Sequence, residues 1–571
     1  MITLSLSGQV EMTVTKSKRN DITAALLKNG GVKKGETDFS IPVIQTPAPV
    51  EQREQGARPP AEIVASFDGL GFGFEGPQGT SRHRNPSDNS LAVGPDHIIQ
   101  TVNSKMAIFT KKGKKYDSTG VILYGPVNTN NVFRGFGGPC EEMNNGDAVV
   151  RYDQLAGRWL IVMPIFRKVP SRDNEPEPRK HGEPAKKSMV GNTGQPGEAE
   201  KLYIPEKLSP EEQAFTDSIR RAEWRRRPRI EEGSYCMCYA ISTGADPFGS
   251  YYRYEFVRPL FPDYPRPAVW PDGYYVPTST GDHVIQKHAC VAERKKMLEG
   301  KPAQEICFVI DSVGFLNNAD LDGYQLPPEG EPNIMMATGG AQLKNIFGDD
   351  GIYYWKFSVD WEEPSKSKLD GPHKIKVSEY NYLGNGQLMK TVPQPGTDEK
   401  LDSQGDKIMS RLVYRKVDDQ ESIVAVHSIN TSSGGGGVRW YEFRIDDKRE
   451  VKLFQQGTYA PDNNYRWMGS PAMDKYGNIG IGYSFGGASH FPGQRFTGRL
   501  AGDPPGILTL REEVLVEGKA SQTNTMRWMD YAQTAVDPED DWTIWYVGDY
   551  LKAGAENYST RIGGFRIRNK E

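Results

Sequence analysis

Histidine and cysteine are scarce in this chain, with 8 and 5 copies in 571 residues. The histidines show no H-E-x-x-H or similar spacing, which excludes the usual zinc-hydrolase helix. His283 and His288 precede Cys290, and a strand would put His288 and Cys290 on one face, but third and fourth ligands for copper or zinc are not visible. Cys236 and Cys238 form a C-x-C pair with no second Cys/His pair at zinc-like spacing. Cys290 and Cys307 flank the charged loop ERKKMLEGKPAQE and are candidates for pairing across a hairpin, the other reading being buried thiols.

Long apolar runs are missing as well. No stretch of about 18 apolar residues exists, which argues against a membrane-spanning helix. Neither sign of charge dominates: 70 basic and 74 acidic residues leave a net charge of -4, so no global field draws the protein to nucleic acid. The N-terminus, MITLSLSGQVEMTVTKSKRN, lacks a basic segment followed by a sustained apolar one, and no secretory signal is readable in it. Nucleophile-elbow, P-loop and dinucleotide fingerprints in the required strand-to-helix setting are also missing, and GFGFEG near Gly71 reads as a turn.

Glycine (61) and proline (40) are plentiful, with 10% aromatic residues, which describes a turn-rich β-protein. Residues 1–64 are polar and end Pro-rich, and read as a flexible leader or a strap over the domain. From residue 65 to 571, short apolar runs alternate with Gly, Asp, Asn and Pro, as strands and tight turns do. Residues 168–233 interrupt this texture: a loop-like half is followed by a helix start at Ser209 and Pro210 and the arginine cluster Arg220 to Arg229. The segment reads as a charged, partly helical surface insertion.

Within 65–571 one pattern recurs, a short apolar strand, a turn with Asp, Gly or Pro, and a second strand. NPSDNSLAVGPDHIIQTV, NNGDAVVRYDQLAGRWLIV and YPRPAVWPDGYYVPT are the first three copies. PNIMMATGG with GDDGIYYWKFSV is the fourth and poorest, followed by GDKIMSRLVYRKVDDQESIVAVHS, RWMGSPAMDKYGNIGIGYS and RWMDYAQTAVDPEDDWTIWYVGDY. A hairpin repeated about every sixty residues predicts an all-β fold, a β-propeller of seven blades, with six and eight left open by the fourth copy. Trp159, Tyr275, Trp355, Tyr483 and Trp545 on second strands are expected to pack blade against blade. The terminal STRIGGFRIRNKE is expected to complete the first blade and close the ring.

These motifs, together with STGADPFGSYYRYEF, GVRWYEFR and FTGRLAGDPPG, resemble a group of large, mostly secreted bacterial β-propeller-like proteins of unassigned activity. The resemblance covers residues 65 to 571 and implies an extracytoplasmic setting without implying a reaction. The last motif departs from the group's Trp-Gly-Asp-Tyr-Ser pattern, reading Trp528, Met529, Asp530, Tyr531, Ala532. Sialidases share the architecture, but neither their Arg-Ile-Pro start nor a clean S-x-D-x-G-x-T-W box is present.

Propeller ligands gather where the innermost strands enter the channel. Residues just before those strands are Asp88, Asn89, Asp147, Tyr264, Arg266, Asp406, Arg411, Arg466, Trp467, Arg527, Trp528 and Asp530. Three roles are open to them. The carboxylates and arginines cap turns and pair between blades; or Tyr264, Arg266, Arg411, Arg466, Trp467, Arg527 and Trp528 form a floor for a glycan, a peptide or another protein; or two of Asp88, Asp147 and Asp530 act as acid and base in glycan cleavage. Because arginines accompany the carboxylates in this list, the sequence favours a non-catalytic extracytoplasmic binding or assembly protein. The alternative is a glycoside hydrolase or polysaccharide lyase using Asp, Arg or Tyr at the mouth. Two carboxylates on one wall with no arginine neutralising them would separate the two. Oxygen-rich loops bearing Asp320, Asp322, Asp349 and Asp350 are weak candidates for calcium, as are DPEDD at Asp537 to Asp541 and PDNN at Pro461 to Asn464.

Overall fold

The computed structural model describes residues 12–17, 19–23, 50–169, 234–279, 286–311, 313–340, 350–385 and 389–568. Apolar, β-branched runs bounded by Gly, Asp and Asn form seven antiparallel four-stranded meanders, which we call blades. Blade 1 comprises Asn89–Val93, His97–Val102, Lys105–Thr110 and Ile122–Asn128. Blade 2 comprises Val149–Asp153, Arg158–Val169, Ser234–Ser242 and Tyr251–Arg258. Blade 3 has Ala268–Val269, Tyr274–Tyr275 with Thr278–Ser279, Lys287–Ala292 and Gln304–Ile310, and blade 4 has Asn317–Asp322, Asn333–Gly339, Gly351–Ser358 and Lys368–Ile375. Blade 5 runs Leu412–Val417, Gln420–Asn430, Gly436–Ile445 and Val451–Tyr459; blade 6 runs Tyr465–Met473, Ile479–Gly487, His490–Arg499 and Glu513–Val516.

Blade 7 is made from both ends of the chain: Gln533–Val536, Ile544–Tyr550 and Ser559–Arg566 are joined by Glu62–Gly69. Each first strand touches the first strand of the next blade, and that of blade 7 touches that of blade 1, so the ring is a closed seven-bladed propeller. Blades 4 and 5 also exchange hydrogen bonds directly, Asn317–Asp322 pairing in parallel with Leu412–Val417.

Three expectations are corrected by this topology. The C-terminal strand does not complete blade 1. It is the third strand of blade 7, and the N-terminal strand Glu62–Gly69 closes the ring beside it. That strand, EIVASFDG, is mostly exposed or half-buried and therefore carries little apolar alternation, and the expected leader boundary at 64 falls inside it. Upstream, Met12–Lys16 edges blade 3, Arg19–Thr23 edges blade 2 and Glu51–Gln52 edges blade 5. These strands cover sheet edges that would otherwise present unpaired backbone. The fourth repeat was read one strand late, because the first strand of blade 4, NNADLD, is polar enough to look like a turn. Of the 168–233 insertion, the predicted helix and the arginine cluster lie outside the described residues.

The core lies between blades. Trp159, Tyr275, Trp355, Tyr483 and Trp545 are all buried there. Cys290 and Cys307 sit opposite one another on neighbouring strands of blade 3 and form a disulfide. A second disulfide, Cys140–Cys238, ties the short helix Pro139–Glu142 to blade 2, and Cys236 is a buried thiol. No helix among the described residues is long and apolar enough to cross a membrane.

Candidate active site

The chain enters several innermost strands through a left-handed residue other than glycine. Asp88, Asp147, Tyr264, Ser410 and Asp530 have φ of 46°, 54°, 56°, 59° and 67°. Such a conformation costs about 1–3 kcal/mol per residue and persists only where its surroundings impose it. Here adjacent blades do so, as when the Asp88 amide donates to the carbonyl of Met529 at 2.7 Å. The result is a ring of side chains at the channel entrance.

Asp88 and Asp147 are neighbours in this ring, close enough for the charge of Asp88 to act on Asp147, and Asp263 stands beside Asp147. Burial raises Asp88 well above the ordinary carboxylate range, and the charge of Asp530 adds to the rise. Burial likewise raises Asp147, with Asp88 as the second cause. Asn103 donates to Asp88. Among the described residues no ion pair is made by Asp88 or Asp147.

Asp530 is differently placed. Arg527 donates to both of its oxygens and Gln404 to one of them, while Lys407 donates to Gln404 at 2.6 Å. Arg527 also lies 3.6 Å from Asp402. Asn103, Asp147, Asp263, Arg527 and Asp530 are partly exposed, so the carboxyl group chain opens to solvent above the buried Asp88. Two environments for carboxyls thus meet at one mouth. Asp88 and Asp147 retain a proton, and Asp530 accepts guanidinium bonds.

Most of the arginines and tryptophans expected at this mouth are elsewhere. Arg466 is fully buried between blade elements, with both donor edges of its guanidinium taken by Glu512 and Asp462. Its position inside the strand Tyr465–Met473, not before it, turns the side chain into the blade. Trp467 and Trp528 are also fully buried and pack on each other with ring centroids 6.2 Å apart. Arg411 lies deeper in the channel, donating to Asp320 and Asp322 at 2.8 Å each. Those two aspartates therefore belong to a strand and an ion-pair network, not a calcium loop. Asp350 accepts from the Tyr380 amide, and Asp349 lies outside the described residues. Asp537, Asp541 and Asp462 pair with Lys111, Arg415 and Arg466. Arg266 is buried with its guanidinium between the rings of Tyr264 and Tyr531, 3.4 and 3.8 Å from their centroids. Asp406 is buried beside Lys407, and Asn89 donates to Asp549.

Asn103, Asp263, Gln404 and Asp402 were missed. Asp263 stands one residue before the expected Tyr264, and Asn103, with φ of 50°, forms the turn between the second and third strands of blade 1. The signal was present as a polar residue beside a turn, but nothing in the spacing aimed it at the mouth. Among the described residues, His288, Cys290 and Cys307 are the one close group of three metal-type ligands, and two of them are joined as a disulfide.

No protein family and no curated protein matches the sequence, so the resemblance to secreted propeller-like proteins has no support at the sequence level. Among solved structures the chain is similar to a polysaccharide lyase of family PL25, an ulvan lyase, at 10% identity over 92% of this chain and 96% of that one, with a TM-score of 0.35. It is also similar to NanB sialidase from Streptococcus pneumoniae, at 10% identity over 75% and 67% of the two chains and a TM-score of 0.33. An endo-1,5-alpha-L-arabinanase from Thermotoga petrophila matches at 11% identity over 86% and 100%, with a TM-score of 0.25. Likeness this remote transfers no activity.

Proposed function

We propose that the channel entrance is the active site of an extracytoplasmic glycan-cleaving hydrolase. The observation that carries this reading is the neighbouring pair Asp88 and Asp147, raised by burial and forming no ion pair among the described residues, beside the arginine-clamped Asp530. Two carboxyls with different protonation at one opening are what acid and base catalysis of glycoside cleavage requires. Asp147, the more exposed of the pair, donates its proton to the departing glycosidic oxygen. Asp530 takes a proton from the attacking water, whose oxygen bonds to the anomeric carbon. Asp88 and Asp263 hold and resupply the proton of Asp147.

Hydrolysis is favoured over eliminative cleavage of a uronate, because the mouth is acidic and Arg527 is already engaged by Asp530 and Asp402. The same acidity disfavours nucleic acid as a partner. Two disulfides support an oxidising compartment. The non-catalytic binding role relied on arginines facing the carboxylates, and Arg411 and Arg466 are committed to buried ion pairs. The test is a panel of neutral and charged glycans assayed for new reducing ends with the unmodified chain and with Asp147→Asn. Cleavage lost in Asp147→Asn is the expected result. Binding of a glycan without cleavage, or cleavage unchanged by the substitution, sinks the proposal.

A further inference from the structure

Below the entrance, the channel wall carries three guanidinium groups and two carboxylates. Arg151 comes from the first strand of blade 2, Asp320 and Asp322 from that of blade 4, Arg266 and Arg411 from the residues leading into blades 3 and 5. All five are more than nine-tenths buried. Asp322 is taken by Arg411, and Asp320 is shared between Arg411 and Arg151, whose Nε lies 3.2 Å away without hydrogen-bond alignment. Among the described residues no carboxylate pairs with Arg266. Its Nη1 donates to the Pro265 carbonyl at 2.8 Å, while Nε and Nη2 have no partner. The hydroxyl of Tyr531, whose ring stacks on this guanidinium, has none either.

An isolated buried charge is costly to keep out of water. The two tyrosine faces offset part of that cost for Arg266. They act on the faces of the guanidinium and leave its in-plane N–H donors unsatisfied, and such donors need an acceptor. Repulsion adds to the demand. Burial, together with Arg411 and Arg266 acting against the attraction of Asp320, pulls Arg151 down to about 10. Arg151 and Arg411 also line a cavity with Leu91, Ala92, Asp320 and Thr534.

We propose that the channel binds a small monovalent anion of the halide class, held by Nε and Nη2 of Arg266 and balanced electrostatically by Arg151. Within this cluster the guanidiniums outnumber the carboxylates by one, which favours a monovalent anion. The site is separate from the acid pair and does not depend on the hydrolase reading. It would anchor blade 3 to the channel and hold Tyr264 and Tyr531, which floor the entrance.

Crystals of the full chain grown without halide and soaked in sodium bromide provide the direct test. Anomalous data at the bromine edge should show a peak within hydrogen-bond distance of Arg266 Nε or Nη2. In solution, the melting temperature should be about 1–3 °C higher in sodium chloride than in sodium gluconate of equal ionic strength. That difference should vanish in Arg266→Met. A channel holding water alone after the soak overturns the proposal, as does a chloride effect that persists in Arg266→Met. Should Arg266→Met not fold, the bromide experiment on the unmodified chain decides.

Discussion

Asp88 and Asp147 lead into successive blades at the channel mouth, and the charge of Asp88 pushes Asp147 further up than burial alone does. Each is held there in a left-handed backbone conformation, at φ of 46° and 54°. Folding thus spends stability twice at one spot, on strain and on crowding two acids. Asparagine tolerates the left-handed region and stays neutral beside Asp88 without having to hold a proton, so Asp147→Asn should fold with a melting temperature at or above that of the unmodified chain. Glycan cleavage should fall by about 100-fold or more, the usual contribution of a positioned proton donor. Thermal denaturation and a reducing-end assay on one preparation check both halves. A variant that is less stable as well as inactive points to a structural role for Asp147.

Arg466 makes the opposite case. Its guanidinium is fully buried and bonds to the buried Glu512 and to Asp462, with the ring of Phe485 5.1 Å away. Arg466→Met should strand the Glu512 carboxylate and cost about 3–5 kcal/mol, the range for breaking a buried ion pair. Chemical denaturation measures this. Near the midpoint of destabilisation, the catalytic rate per folded molecule should be unchanged. A drop in that rate at full folding would restore Arg466 to the binding surface where the sequence had put it.

The contrast between these residues marks how far a sequence reading reaches. Repeat spacing located six of the seven first strands, because apolar hairpins with Asp and Gly turns are local patterns. It also placed Asp88, Asp147 and Asp530 at entrances, since a residue before a strand is defined by one boundary. What spacing does not carry is the direction of a side chain across blades. Arg466 and Arg527 both precede a tryptophan, yet one falls inside a strand and is buried, while the other sits in an irregular segment and is partly exposed. Arg411 looked like a mouth residue until its partners, Asp320 and Asp322, some ninety positions earlier, appeared on the adjoining strand. The closing strand escaped because Glu62–Gly69 is a half-exposed edge and lacks the periodicity that marks an inner one.

Closure by that strand can be tested by truncation. Glu62–Gly69 supplies the fourth strand of blade 7, and Phe67 packs on Phe109 of blade 1 with centroids 5.3 Å apart. A chain beginning at residue 50 uncovers the edges of blades 3 and 2 but keeps the closing strand, and should retain a cooperative transition as the reference for the shorter chain. A chain beginning at residue 71 leaves Ser559–Arg566 as an open edge, a template for association. It should elute as aggregate in size-exclusion chromatography, and adding a peptide of residues 60–70 during refolding should recover monomer. Equal behaviour of the two truncations would remove this strand from any role in closing the ring.

Asp549 offers a pH test independent of catalysis. It lies in the second strand of blade 7, fully buried, and accepts from Asn89 of blade 1 at 2.5 Å. Burial raises it to about 8 from an ordinary 3.8; bonds from Ser87 and Asn89 pull it down only in part, and the charge of Asp530 pushes it further up. Between roughly pH 4 and 8 the folded chain therefore keeps a proton that the unfolded chain releases. The stability this group contributes is present below pH 4, falls as pH rises through that window, and levels off above it, with a slope of at most about 1.4 kcal/mol per pH unit. Asp88 and Asp147, raised in the same sense, add slopes of the same sign. Asp549→Asn removes one contribution while its side-chain carbonyl still accepts from Asn89. Melting temperatures measured from pH 5 to 9 should decline less steeply in Asp549→Asn, and the variant should exceed the unmodified chain by the widest margin at the alkaline end. Parallel profiles for the two proteins would mean that Asp549 ionises alike in the folded and unfolded chains.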